Sequence, residues 1–568
     1  MKQKLCLLTV LALLTFCPVL PVSAGDLPDV STLYKKKDVD AEYSEKKAEL
    51  IDLTQIGGSM LTIDKKGDYC LSGSFSGQVL IDAPEDAAVR LCLMGVDITS
   101  PEGPAIYERQ ADKLIVTLAP GTVNTLTDGP AVTDGDDTIG AALYAEDDLS
   151  INGSGALIVN GTVKHGIQSK ADLIVADGVI TVTAKTDGVR GRNSVLILDG
   201  TLSVDAQGDG IVSTRDDRED KGWVIVAGGS VTVRTGGGAG EVRASANSRG
   251  GFRGNGRDGR GFGGWGRQRQ QGTQPEWQGQ PSPEQTGDQN GDVSQKGLKA
   301  AAALTVMGGA LALDCQDDGL HAKQITVAGG TLSIQTGDDG LHADETLQVT
   351  GGTIDVARCY EGLEGKDVAV SGGTITVTAS DDGINACGGG DASGFSGRGN
   401  DRFGGGAVSG SLSISGGTVS VNAGGDGLDS NGSISITGGV TGVYARTTTG
   451  EGAIDFNGTG TLQGGTLIVL SAGGVMRDTA GLTGQPVMTV SVSGPANAAV
   501  SLADGAGNAL GAFTPTSAFD TAMISSDRLK EGDAFRLTVD GQTLLEAVMT
   551  DSGADQGYRD TMPGRRRR

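Results

Sequence analysis

An acid followed by glycine recurs along this chain about every 21 or 22 residues. It reads Asp317-Asp318-Gly319, Asp338-Asp339-Gly340, Tyr360-Glu361-Gly362 and Asp381-Asp382-Gly383. Between these beats stands a second marker: Gly329-Gly330-Thr331, Gly351-Gly352-Thr353 and Gly372-Gly373-Thr374. A fixed period of this length means stacked supersecondary units, none of which can bury its apolar face alone. Function then belongs to whatever the stacked positions present.

The unit that starts at Gly319 holds two alternating runs, Ile325-Thr326-Val327 and Leu332-Ser333-Ile334, with a short segment at Leu320. Period 2 with β-branched residues predicts strands. The glycine pairs and the acid-glycine steps read as turns that need positive φ or a close approach. Three short strands and three turns per unit make one coil of a right-handed parallel β-helix. A helical repeat would need longer runs of period 3.6, and none is present. The predicted class is all-β.

Glycine supplies 95 of 568 residues without a collagen triplet, as turn-dense repeats require, and aromatics make up 4%. The formal charge of −25 argues against nucleic acid and for cations or hydrated neutral partners. A basic start (Lys2, Lys4), an apolar stretch from Leu5 to Val19 and small residues at Val22-Ser23-Ala24 read as a secretory signal over 1–24. Its removal takes the charge to about −27, two lysines fewer, and predicts a secreted or cell-surface protein. Phe16 is too bulky to make Cys17 a lipidation site. No later apolar run is long enough to span a membrane. Of the five remaining cysteines, Cys70 and Cys92 stand one repeat apart in matching strands, placed for a disulfide or for two stacked thiols.

Residues 25–50 read as a polar tether or cap, and 51–475 as the β-helix. Two Gly/Arg-rich insertions, 236–295 and 388–406, lack the apolar content to offset ordering entropy. Beyond about Pro486 the beat is lost while strands persist, so 486–550 reads as a small β module that closes the solenoid. Residues 551–568 form a tail.

Equivalent positions of successive coils stack about 4.8 Å apart. The residue before the beat glycine runs His165, Asp187, Asp209, Lys296, Asp318, Asp339, Glu361, Asp382 and Asp426, and the residue before that adds Asp317, Asp338 and Asp381. Like charges at this spacing repel by roughly 1 kcal/mol per neighbour in water and about 3–4 when partly buried. Either some acids keep their protons or a cation sits between rungs. Calcium is hard, abundant outside cells, and takes roughly six to eight oxygens. Asp317, Asp318, Asp338, Asp339, Glu361, Asp381 and Asp382 are the candidate calcium ligands. The competing reading is that Asp merely favours a turn before a left-handed glycine.

A second column, two residues after the glycine, runs Gln168, Arg190, Val212, Lys299, His321, His342, Glu364, Asn385 and Asp429. His321 and His342 stack, and a transition-metal pair would need two further ligands that the sequence does not show. They read instead as solvent-facing polar residues beside a groove. Arg190, Arg192, Lys299, Lys323 and Arg358 are the basic residues a calcium-dependent lyase would need, but none has a distinguishing motif.

At Ala141 to Gly155, Lys164 to Leu173, Ala105-Ile106-Tyr107, Asn124 to Gly129 and the downstream Asp-Gly and Gly-Gly-Thr rungs, the chain resembles a secreted carbohydrate-binding parallel β-helix family. The resemblance spans roughly Ile51 to Gly474. It implies a pectate-lyase-like fold with bound calcium that binds plant-wall polysaccharides, both cellulose and acidic pectin-like chains, without implying catalysis. The expected partner is therefore a polysaccharide, held by a monomer, with calcium bridging acidic protein and acidic sugar. A calcium-dependent polysaccharide lyase and a protein-binding surface adhesin are the rival functions.

Overall fold

The computed structural model describes residues 27–43, 47–134, 137–240, 294–387, 410–446, 452–472 and 481–551. The signal segment, most of both insertions with Trp265 and Trp277, and the tail lie outside the described residues.

The chain folds as a parallel β-helix. Each strand pairs in parallel with its equivalent one rung on. Leu320–Val327 lies between Leu298–Val306 and Leu341–Val349, which in turn pairs with Leu363–Val370. Inward positions carry Leu, Ile and Val, and these merge into one core that runs the length of the solenoid. Leu320, Leu341, Leu363 and Ile384 are all fully buried in it. Cys70 stands opposite Cys92 on neighbouring rungs, as the spacing predicts, and both are buried.

The two glycine markers exist for different reasons. The second glycine of each pair is left-handed, with φ of 86° at Gly330, 85° at Gly352 and 86° at Gly373. The beat glycines are not left-handed; they permit close approach. A Cβ on Gly340 would stand 2.5 Å from Gly362 O and 2.7 Å from a Val356 methyl. Aspartate before them is therefore not there to initiate a left-handed turn.

The polar segment before residue 50 is a strap along the outside of the solenoid. Val30, Leu33 and Tyr34 cover the outward apolar residues Ile174, Leu196 and Ile225. The short helix Lys36–Val39 then buries Asp38, whose carboxylate accepts from Lys113 Nζ at 2.8 Å and Ser150 Oγ at 2.9 Å. Asn152 Nδ2 donates to the Asp38 carbonyl at 2.9 Å, and Arg90 donates to the Asp40 carbonyl at 2.8 Å.

At the other end, Thr521–Ser526 pairs antiparallel with Gly460–Ala472 and with Val487–Val490. A four-stranded antiparallel sheet of Val500–Asp504, Ala509–Phe513, Ala534–Val539 and Gln542–Val548 completes the module. Phe513, Phe519, Phe535 and Leu537 pack there against Tyr444, Ile468 and Leu470 of the last rungs. The module thus covers edge and outer face that the final coils leave without a successor.

Candidate functional site: a ladder of turn acids

The acid before each beat glycine opens a turn that leads into an outward-facing strand position. Asp187 Oδ1 accepts the N–H of Asp209 at 3.2 Å, and Asp209 Oδ1 accepts that of Lys296 at 2.9 Å. Asp318 Oδ1 accepts from Asp339 at 3.2 Å, Asp339 Oδ1 from Glu361 at 3.1 Å, and Asp382 Oδ1 from Asp426 at 2.6 Å. Asp426 Oδ1 in turn accepts the N–H of Gly452. Even His165 does the same work, its Nδ1 accepting from the Asp187 N–H at 3.3 Å. That bond fixes an unprotonated Nδ1, and burial, with Arg190 and Lys164 nearby, holds the ring neutral. One oxygen of each of these acids therefore ties rung to rung. The other is left to face the column two residues beyond the glycine.

What that second oxygen meets changes along the axis. Upstream it meets fixed cations. Arg190 donates to Asp187 Oδ2 at 2.8 Å, and Lys299 Nζ stands 3.6 Å from Asp209 Oδ2. Lys296 Nζ lies 2.6 Å from Asp318 Oδ2 and 3.1 Å from Asp317 Oδ2. Burial alone would raise the Asp318 pKa, but Lys296 and His321 hold it well below the usual carboxylate range. Asp317, Asp318 and Asp338 do come together with ligand atoms within 4.8 Å, and the Lys296 ammonium already lies against two of them, Asp317 and Asp318.

In the middle it meets imidazole. His321 Nδ1 is 3.1 Å from Asp318 Oδ2 and His342 Nδ1 is 3.1 Å from Asp339 Oδ2. His342 Nδ1 also lies 3.0 Å from Glu364 Oε2. Burial disfavours a charged His342, yet Glu364 and Asp339 beside it push its pKa well above the ordinary value. Burial and the Lys296 charge lower His321 instead. The two rings are tilted, centroids 5.0 Å apart. The histidines are not solvent-facing, as the sequence suggested: His321 is 9% and His342 3% exposed. Asp318, Asp339 and Glu364, whose carboxylates stand against the two rings, carry further atoms of the kind a metal ion could use.

Downstream it meets more acid. Burial, reinforced by Glu364, Asp339 and Asp382, raises the Glu361 pKa well above the usual range, with Asn385 Nδ2 donating to Oε2 at 2.8 Å. Burial, then Asp381, Asp426 and Asp429, does the same to Asp382. Carboxylate oxygens of Asp426, Asp429 and Asp455 lie within 4.8 Å of one another. Asp455 was missed in the sequence because the final beat is held by Ala453. Leu428 pairs with Ile454 and Asp429 with Asp455, so Ala453, not the neighbouring Gly452, occupies the beat position.

Beside the upstream rungs lies a polar cleft of about 450 Å³, lined by Thr127, Asn160, Thr183, Lys185, Asp205 and Gln207. Thr127, Asn160, Thr183 and Asp205 are one stacked column. Hydroxyl, amide and charged groups in a row suit a hydrated, hydroxyl-rich ligand. Among the described residues, no helix is long and apolar enough to cross a membrane.

A curated protein from Acetivibrio thermocellus, described as a carbohydrate-binding domain-containing protein, is 33% identical over 167 residues, 29% of this chain and 56% of the relative. The chain thus spans just over half the length of that relative. A solved structure described as the polysaccharide lyase-like protein from C. thermocellum, in a gadolinium derivative, aligns with a TM-score of 0.35 and 22% identity, over 51% of this chain and 94% of that one. The family model for carbohydrate-binding domain-containing proteins matches residues 57–340 and 338–481, most of the β-helix, and the chain belongs to that family.

Proposed function

We propose that this protein is exported and binds cell-wall-type polysaccharide along the solenoid, with calcium held by the turn acids. Acidic pectin-like chains and cellulose are the glycans it would take. The observation that carries the reading is the change of partner along one ladder, from Arg and Lys through His to acid alone. Of the candidate ligands, Asp317 and Asp318 hold Lys296, Asp338 lies beside those two acids, and Asp339 faces His342. Asp381, Asp382, Asp426, Asp429 and Asp455 offer oxygen only, the donor type calcium takes. Glu361 stands between the two regimes. Calcium on the downstream rungs would offset the repulsion that raises Asp382 and leave coordination positions for a uronate. The polar column at Asn160 and Thr183 would hydrogen-bond sugar hydroxyls.

Binding without cleavage is the reading that three of the five basic residues, Arg190, Lys299 and Arg358, support. A lyase needs a base beside the metal-bound uronate. Arg190 and Lys299 are instead tied to Asp187 and Asp209 on the upstream rungs, and Arg358 donates to the Gly240 carbonyl.

Native gels cast with polygalacturonate test the proposal, run with calcium and with chelator beside a cellulose pull-down. Calcium-dependent retardation is expected. Unchanged mobility together with no cellulose binding would overturn it. Unsaturated sugar products absorbing in the near ultraviolet would make the protein a lyase instead.

A further inference from the structure

The middle of the ladder contains a second kind of metal-ligand set. His342 Nδ1 lies 3.1 Å from Asp339 Oδ2 and 3.0 Å from Glu364 Oε2, and the three ligand atoms fall within one 4.8 Å group. These separations approach the roughly 3.3 Å between ligands of a tetrahedral ion with bonds of about 2.0 Å. Each side chain is held from behind. Asp339 Oδ1 accepts the Glu361 N–H at 3.1 Å, Glu364 Oε1 accepts from Cys387 Sγ at 3.4 Å, and the His342 ring rests on His321. Asp339 and His342 are 2% and 3% exposed, and the Glu364 side chain, at 16%, is the most accessible of the three.

We infer that Asp339, His342 and Glu364 form a binding site for one zinc-class transition-metal ion, distinct from the oxygen-only calcium rungs. An imidazole nitrogen with two carboxylate oxygens is a donor set that zinc and its neighbours accept and calcium does not favour. Two carboxylates and a neutral imidazole balance a divalent charge. Three protein ligands leave a fourth position for water or for a ligand oxygen. The neighbouring group of Asp318, His321 and His342 is the poorer site, because Lys296 Nζ stands 2.6 Å from Asp318 Oδ2 and would repel the ion. The inference does not depend on glycan binding.

The test uses the full chain, stripped with chelator and titrated with Co²⁺ in excess Ca²⁺. Saturation at one Co²⁺ per chain is expected, with the strong visible absorption of a four-coordinate ion, displaced by Zn²⁺ and not by further Ca²⁺. His342→Gln is expected to weaken binding by more than the about 100-fold that removing an outer hydrogen-bond partner of a metal ligand can cost. Glu364→Gln, a partly exposed position, should act in the same direction and decides the matter if the His342 variant loses its β-strand circular dichroism. No saturable uptake by the wild-type chain, displacement by Ca²⁺, or binding undiminished in a folded variant would overturn the inference, leaving His342 as an internal counter-ion to its acids.

Discussion

Asp318 accepts the backbone N–H of Asp339 through Oδ1 and the ammonium of Lys296 through Oδ2, at 3.2 and 2.6 Å. One residue thus joins two rungs and neutralises a buried cation. Asp318→Ala removes both roles, with Asp317 left 3.1 Å from Lys296, and should cost up to about 3–5 kcal/mol, the range for breaking a buried ion pair. Asp318→Asn keeps an acceptor for the Asp339 N–H and should recover about 1–3 kcal/mol of that loss. Urea unfolding of the two variants beside wild type measures the difference. Equal losses would contradict the ladder role of Oδ1.

Glu108 points inward, fully buried, and burial, reinforced by Asp147 and Glu146, raises its carboxyl to about 7. Its Oε2 accepts the Asp147 N–H at 3.0 Å. A raised folded-state value means the folded protein binds more protons than the unfolded chain between the ordinary carboxyl value of 4.5 and about 7. Stability should therefore fall as pH rises through that window, by up to about 3 kcal/mol from this residue. Glu108→Gln should flatten this slope and raise the melting temperature at pH about 8, above the folded-state value. Melting curves on either side of the window check it.

Asp38 holds the strap to the solenoid through Lys113, and the two side chains are 1% and 5% exposed. Asp38→Ala should cost less than the about 3–5 kcal/mol of a fully stranded buried charge, because Asp148 Oδ2 remains 3.4 Å from Lys113 Nζ. It should also raise hydrogen exchange across 27–43 before the rungs themselves loosen. Exchange measured by mass spectrometry separates local release from global unfolding.

Calcium should stabilise the fold through the downstream rungs, by about 2.7 kcal/mol when its concentration is 100 times its dissociation constant. Asp382→Asn keeps an acceptor for the Asp426 N–H but loses a charged ligand, so it should fold normally and gain less from calcium. Thermal melts with calcium and with chelator distinguish this from a structural loss, which would appear equally in both.

The period, the strand alternation and the stacking of His321 on His342 are legible in the sequence because a parallel ladder copies linear spacing directly into space. The two glycine roles are not. Both markers read alike until the backbone shows which glycine is left-handed and which is pressed against the next rung. Nor could alternation reveal that the outward face of Ile174, Leu196 and Ile225 is covered by a distant segment, or that His342 is buried by acids on its own and the following rung. Such burial depends on how the columns beside a turn lean together, and no single repeat records that. Asp455 escaped because Ala453 replaces the beat glycine; aligning Ala453-Ile454-Asp455 with Gly427-Leu428-Asp429 would have found it.

The most direct test of the account is calorimetric titration of the whole protein with oligogalacturonate, in calcium and in chelator, beside the Asp382→Asn variant. Saturable binding in calcium is expected, at least about tenfold weaker in chelator and in the variant, equivalent to about 1.4 kcal/mol. Equal affinity in all three would contradict it, since the sugar would then be held without the ion or the downstream acids.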